Sequence, residues 1–228
     1  TYLPALPVYT LLGAEVLQGE NALLFGPDAG SGPHAFSCFV RSSFDTSDNS
    51  TLYFGPSILF GKTKSTVITS GSLPALGAEL QGDSALYGFE MVWKWKPSSQ
   101  EGFTLQSEYL YLSQNGDMED FGAATVDPLD RRQDGLYVQG IYRINRWRVG
   151  GRYDRLALFS DAFKLAGAQQ DLGSTPWRAT GSLEFIPSEF SRIRLQYTHD
   201  RSDRDGRDNN EVIAQFIFGI GAHAGHAF

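Results

Sequence analysis

The segment VIAQFIFGIGAHAGHAF, Val212 to Phe228, decides how the rest of the chain reads. In an extended chain successive side chains point to opposite sides. Val212, Ala214, Phe216, Phe218, Ile220, Ala222 and Ala224 therefore share one side, and Ile213, Gln215, Ile217, Gly219 and Gly221 the other. One side is apolar as far as Ala224, carries His226 near its end and closes on a terminal aromatic residue. His223 and His226 fall on opposite sides, so this spacing does not build a metal pair, and no metal or other cofactor is expected.

An apolar strand that closes on Phe228 matches the way bacterial outer-membrane barrels end, and their assembly machinery is understood to read that end. Phe228 is thus the candidate assembly signal. The composition agrees. In 228 residues no apolar run approaches the eighteen that a transmembrane helix requires. Barrel strands carry their apolar residues at alternate positions, so a lipid-facing band coexists with a negative mean hydropathy. The net charge of −7 is concentrated in two stretches that read as loops, NGDMEDFGAATVDPLD (115–130) and DRSDRDGRDNNE (200–211). The single cysteine, Cys38, has no internal disulfide partner and is expected to be buried or lipid-facing. The residues from Thr1 onward do not read as a signal peptide, which fits a mature or trimmed chain.

Alternation bounded by turn residues predicts about ten strands, near 7–18, 34–44, 51–63, 84–96, 102–114, 134–145, 147–158, 176–186, 191–201 and 210–222. Connections are short at Asp45–Ser50, Pro97–Glu101, Asn145 and Pro187–Phe190, and long elsewhere. Short turns at one end and long loops at the other fit an antiparallel transmembrane β-barrel with both termini in the periplasm. The expected architecture is all-β, one barrel domain over residues 1–228, either complete in itself or part of a larger barrel.

The faces separate cleanly. Trp177, Ala179, Gly181, Leu183 and Phe185 alternate with Arg178, Thr180, Ser182 and Glu184, and Ile193, Leu195 and Tyr197 alternate with Arg192, Arg194, Gln196 and Thr198. A soluble barrel with its large residues inside could use the same pattern. Trp93, Trp95, Trp147 and Trp177 read as a belt near the short turns, where an interfacial aromatic girdle belongs.

Three segments, LGAEVLQGEN (12–21), RRQDGLYVQGIYRINRWRVGGRYDRL (131–156) and GIGAHAGHAF (219–228), together resemble the C-terminal half of porin-like outer-membrane proteins labelled zinc-regulated TonB-dependent receptors. These are similar in style to phosphate-selective porins. The resemblance spans most of the chain and implies an outer-membrane location in a Gram-negative bacterium and a porin-like transport role. Neither a plug domain nor a TonB box is visible in these residues, and the histidine-rich stretch of longer relatives has no counterpart.

With the polar side turned inward, the lumen-lining candidates are Arg41, Glu90, Lys94, Glu108, Arg143, Arg148, Arg152, Asp154, Arg178, Glu184, Arg192 and Arg194, with Glu15 and Lys96 beside them. Rows of guanidinium groups attract anions and bind carboxylate or phosphate bidentately. The same residues could instead neutralise one another and fill a narrow barrel. Two functions stay open: passive diffusion of small polar or anionic solutes, or a non-conducting barrel that sheaths or anchors a periplasmic or electron-transfer partner. The expected partners also include membrane lipid, lipopolysaccharide and the assembly machinery, but no nucleic acid. A hydrolase is the minor alternative. It rests on His199 and Asp200, which alternation turns to opposite sides, with no serine nucleophile beside a base, so no catalytic residue is expected. Asp203, Asp205, Asp208 and Glu211 with Gly206 resemble calcium-loop spacing without its full pattern, a place where divalent cations could bridge to lipopolysaccharide.

Overall fold

The computed structural model describes residues 8–21, 24–26, 32–67, 78–120 and 124–219, and in it the period-two alternation becomes one antiparallel sheet. The strands are β1 (Tyr9–Leu17), β2 (Ala35–Ser47), β3 (Ser50–Val67), β4 (Ala78–Trp95), β5 (Glu101–Asp120), β6 (Thr125–Ile144), β7 (Trp147–Leu165), β8 (Ala168–Gln169), β9 (Trp177–Ser188), β10 (Ser191–Arg201) and β11 (Asn209–Phe218). Each pairs with the next in sequence, except that β9 pairs with β7 and the two-residue β8 folds back on the end of β7. Among the described residues no pairing joins β1 to β11. Phe228, His223 and His226 lie outside the described residues.

The short connections follow β2, β4, β6 and β9, and antiparallel pairing in sequence order puts all four along one edge of the sheet. Three of the four are two-residue turns, and in the one at Asn145 and Arg146 Asn145 takes a φ of 52°. Asparagine tolerates this left-handed region better than most residues, and turns of this hand match the twist of the flanking strands.

Five strands, β3 to β7, are longer than alternation alone implied, and in β4 to β7 the reason is an exchange of faces. Along β4 one face carries Trp95, Trp93, Met91, Phe89 and Tyr87 and then continues as Ala85, Asp83, Gln81 and Glu79. The opposite face carries Lys94, Glu90 and Gly88 and then continues as Ser84, Leu80 and Ala78. β5 does the same: Phe103, Leu105, Tyr109 and Tyr111 give way to Ser113, Asn115, Asp117 and Glu119. Read for one fixed apolar side, the acidic stretch 115–130 looked like a loop. It is instead the far end of β5 and the start of β6, paired from Asp120↔Thr125 inward, with only 121–124 between the strands.

Beyond the exchange, the face that was polar buries a compact apolar cluster of Ala78, Leu80, Met118, Leu129 and Phe163, with Leu165 and Leu172 packed against it. Leu80 is fully buried while the acidic residues on the other face of the same strands meet solvent. Before the exchange the apolar face is bare: Tyr87, Phe89, Val149, Tyr153, Leu183, Leu195, Phe216 and Phe218 are all exposed. Cys38 lies on this face with Phe36 and Val40, exposed rather than buried.

The aromatic belt needs one correction. Trp93, Trp95 and Trp147 are near the short turns, but Trp177 opens β9 at the opposite end. It sits beside Tyr153 and His199, at ring distances of 6.1 and 5.1 Å. Trp147 lies against Phe185, with ring centroids 4.7 Å apart and the planes tilted by 38°, at the other end of the same strand pair. The bare face is thus bounded by two aromatic belts rather than one. From Phe185 to Trp177 the strand runs about 26 Å, and at a barrel tilt the belts stand roughly 20 Å apart before the rings are added.

Candidate functional site on the inner face

The register places all the lumen-lining candidates on the face opposite the bare aromatic one. Arg143 lies across from Arg148, Arg148 from Glu184, and Glu184 from Arg194. Arg152 sits two steps above Arg148 on the same face, with Gly150 between them, and Asp154 faces Arg178 and Tyr137. Glu108 faces Glu90 and Tyr137. We call this the inner face, because two large recesses open on it.

The charges form tiers. In the middle tier Arg41 reaches past β3 to Glu90 with a 2.7 Å ion pair. The residue in between is Gly55, where a Cβ would stand 3.1 Å from the Arg41 side chain and collide with the Val40 carbonyl oxygen. A side chain there would block the path. Tyr53 donates its hydroxyl to the same Glu90 oxygen at 3.2 Å. On the other side Asp154 takes Arg152 at 2.7 Å and Arg178 at 3.5 Å, and Arg152 also lies 4.0 Å over the Tyr137 ring. Glu15, towards the opposite end of β1, accepts a hydrogen bond from Ser37 at 3.0 Å.

The tier near the short turns is more basic. Glu184 stands between Arg148, at 3.8 Å, and Arg194, at 3.4 Å. The Nε of Arg194 is buried with no hydrogen-bond partner among the described residues. Among the described residues Lys94 and Arg192 have no carboxylate partner, and Arg143 donates only to the Asn145 carbonyl oxygen, at 3.3 Å. Asp45 lies at this level too and accepts from Thr51 at 2.8 Å. Lys96 follows the end of β4 and donates its backbone N–H to the Asn49 carbonyl oxygen.

A recess of about 650 Å³ opens over this tier, lined by Arg148, Arg152, Arg178, Glu184, Arg192 and Arg194 among others. A second, of about 720 Å³, lies further from the short turns and has leucine walls: Leu86, Leu110, Leu112 and Leu156. Arg178 lines both.

Above the leucines sequence reasoning missed a third tier. Gln114 Nε2 donates to Ser84 Oγ at 2.9 Å, and Ser84 also bonds Thr63, whose hydroxyl donates to the Leu24 carbonyl oxygen. Arg131 donates to Gln114 and Gln133, Gln133 donates to Asp161 at 2.8 Å, and Arg204 forks onto Asp161 at 3.0 and 3.1 Å. Residues of both long-loop segments, Leu24 and Arg204, therefore fold over the inner face. No local sequence signal marks either, because both contacts come from chain 30 or more residues away.

The remaining candidates separate. His199 Nδ1 is 2.9 Å from Asn210 Oδ1 on the aromatic side, whereas Asp200 accepts the Ser202 N–H at 2.7 Å. In the acidic loop Asp203 and Asp205 share Arg207, and Asp208 pairs with Arg201 at 2.5 Å. Among the described residues no three His, Cys, Asp or Glu side chains converge as metal ligands.

No protein-family model matches the chain. It is 35% identical over 242 residues to an uncharacterized protein of Aquifex aeolicus (strain VF5), covering 100% of this chain and 50% of the relative. The chain thus spans about half the length of the curated relative it matches. Among solved structures, the P. putida toluene transporter TodX aligns with a TM-score of 0.36 and 11% identity, over 85% of this chain and 63% of that one.

Proposed function

We propose that this chain forms part of the wall of a bacterial outer-membrane β-barrel that conducts small anionic solutes passively. The exchange of faces supports the membrane reading. Large apolar side chains stand bare between two aromatic belts, while immediately beyond the upper belt the same side of the sheet turns acidic and the other side packs a dry core. A water-soluble sheet gains nothing by exposing that band, whereas lipid solvates it and an outward arginine there would cost roughly 2 to 4 kcal/mol.

The anion preference rests on one observation: among the described residues the cations Lys94, Arg143 and Arg192 have no carboxylate partner on the tier where Arg148 and Arg194 already share Glu184. Paired charges such as Arg41 and Glu90 cancel, but an uncompensated tier in a low-dielectric wall carries a positive potential. The test is ion selectivity in planar bilayers under a salt gradient. Replacing Lys94, Arg143 and Arg192 by Gln is expected to shift the reversal potential towards cations, and the shift should shrink as salt approaches molar. A conducting protein whose selectivity ignores the three substitutions contradicts the proposal. The middle-tier network favours the second reading, a filled barrel that sheaths or anchors a partner, and absence of wild-type conductance would select it.

A further inference from the structure

We infer that the leucine recess between the two charged tiers binds a small amphiphile with an apolar body and one carboxylate, its head on Arg178 and its body along Leu156, Leu110 and Leu112. This deepens the channel reading and rests on the same assignment of the inner face.

Three observations carry it. The first is the interruption of a polar surface. Leu110 and Leu112 follow Glu108 on the inner side of β5, and Gln114 follows them, so two consecutive inward positions are apolar between polar ones. Leu86 faces Leu112 directly across the sheet. Leu110 and Leu156 are exposed within the recess rather than packed into the apolar cluster above. An exposed apolar surface inside a concavity is covered by water at a cost that a ligand removes.

The second is an open guanidinium. Arg178 approaches Asp154 no closer than 3.5 Å, at Nε, and makes no hydrogen bond among the described residues, whereas Arg152 holds Asp154 with three. Glu108 faces Tyr137 beside this pair and Asp200 lies across from Arg178 on β10, so the head is recognised by the unused fork of Arg178 and not by an excess of positive charge. A guanidinium presents its terminal nitrogens to a carboxylate.

The third is distance. Arg178 on β9 lies three strands from Leu110 on β5, about 14 Å around the wall at the usual strand spacing. Leu156 on β7 lies between them and pairs with Gly135, which presents no side chain to bar the way. The recess therefore suits an extended body of medium-chain length or a single ring with a short chain.

The test uses the full chain in lipid nanodiscs with Trp93, Trp95, Trp147 and Trp177 replaced by phenylalanine and with Leu86→Trp on the recess wall opposite Leu112, so that the one indole reports from the inner face. The probe is 8-bromooctanoate. Saturable quenching is expected, and Arg178→Gln should raise the half-saturating concentration about tenfold, with Arg178→Lys recovering part of the loss. Bromoacetate has the head without the body and 8-bromooctanol the body without the head, and each should bind at least about tenfold more weakly. Leu110→Asn with Leu112→Asn should remove the saturable component while heat-modifiable gel mobility reports a folded protein. Quenching that rises linearly and is unchanged by these substitutions reflects partitioning into lipid and overturns the site. Equal binding of the bromo-alcohol overturns the carboxylate assignment. The readout does not depend on ion flow, so saturable binding without conductance refutes the channel and sustains the site, and conductance without saturable binding does the reverse.

Discussion

Tyr87 and Tyr111 lie directly opposite each other on β4 and β5, with ring centroids 6.1 Å apart, and mark the level at which the two faces of the sheet exchange character. Below this pair the outer side is Phe89, Met91 and Trp93; above it the same side is Ala85, Asp83 and Gln81. Amphipathic tyrosines suit such a boundary because the ring accepts lipid and the hydroxyl accepts water.

Spin labels are expected to divide at this pair. A label at Phe89 should respond to oxygen, which concentrates in lipid, and a label at Gln81, eight residues along the same strand, to a water-soluble nickel chelate. A label at Phe89 relaxed mainly by the nickel chelate would remove the membrane reading.

The strand extensions depend on their own core. Phe163 is fully buried against Leu80, Met118 and Leu129, so Phe163→Ala should cost about 3 to 5 kcal/mol of local stability. The loss is confined to the part beyond the upper belt. Hydrogen exchange should accelerate at 112–133 and 158–165 while amides of β10 keep their protection.

Glu184 separates two arginines, and its replacement reads both stability and selectivity. Glu184→Gln leaves Arg148 and Arg194 without their shared carboxylate. Their partial exposure screens the repulsion, so the expected destabilisation is about 1 to 2 kcal/mol, below that of a fully buried pair. Reversal potential under a salt gradient should move further towards anions. By contrast, replacing Glu90 exposes Arg41 in a different tier, and its effect should add to that of Glu184→Gln, since the two share no partner.

Asp134 holds an irregularity in the wall. It is 4% exposed, and its carboxylate accepts the N–H groups of Leu158 and Phe159 and the hydroxyl of Tyr109. Here β7 inserts extra residues against β6: Gly135 pairs with Leu156, yet Gln133 pairs with Asp161. Asp134→Ala should open this bulge, speeding amide exchange at Leu158 and Phe159 by about ten- to a hundredfold, as expected for losing charge-assisted hydrogen bonds worth about 1.5 to 3 kcal/mol. Protection there equal to wild type would show that strand pairing alone holds the bulge.

The sequence by itself determined the all-β class, the antiparallel order and the side to which Arg178, Arg192 and Arg194 turn, because side-chain alternation is local and the short turns leave no slack. It did not determine where β5 and β6 end. With one apolar side expected throughout, Asp117, Glu119 and Asp127 look like a loop, whereas pairing between those strands continues because their other side finds Phe163 and Leu80 to pack against. The place of Trp177 was legible as well, since a strand at 176–186 followed by the short turn at Pro187–Phe190 puts it at the long-connection end, where the structure shows the second belt. Only the register decided that Arg152 and Arg178 compete for Asp154 while Lys94, Arg143 and Arg192 find no carboxylate among the described residues. Charge pairing across strands depends on a one-residue register and on side-chain reach through gaps such as Gly55, and neither is encoded in the spacing of any single strand.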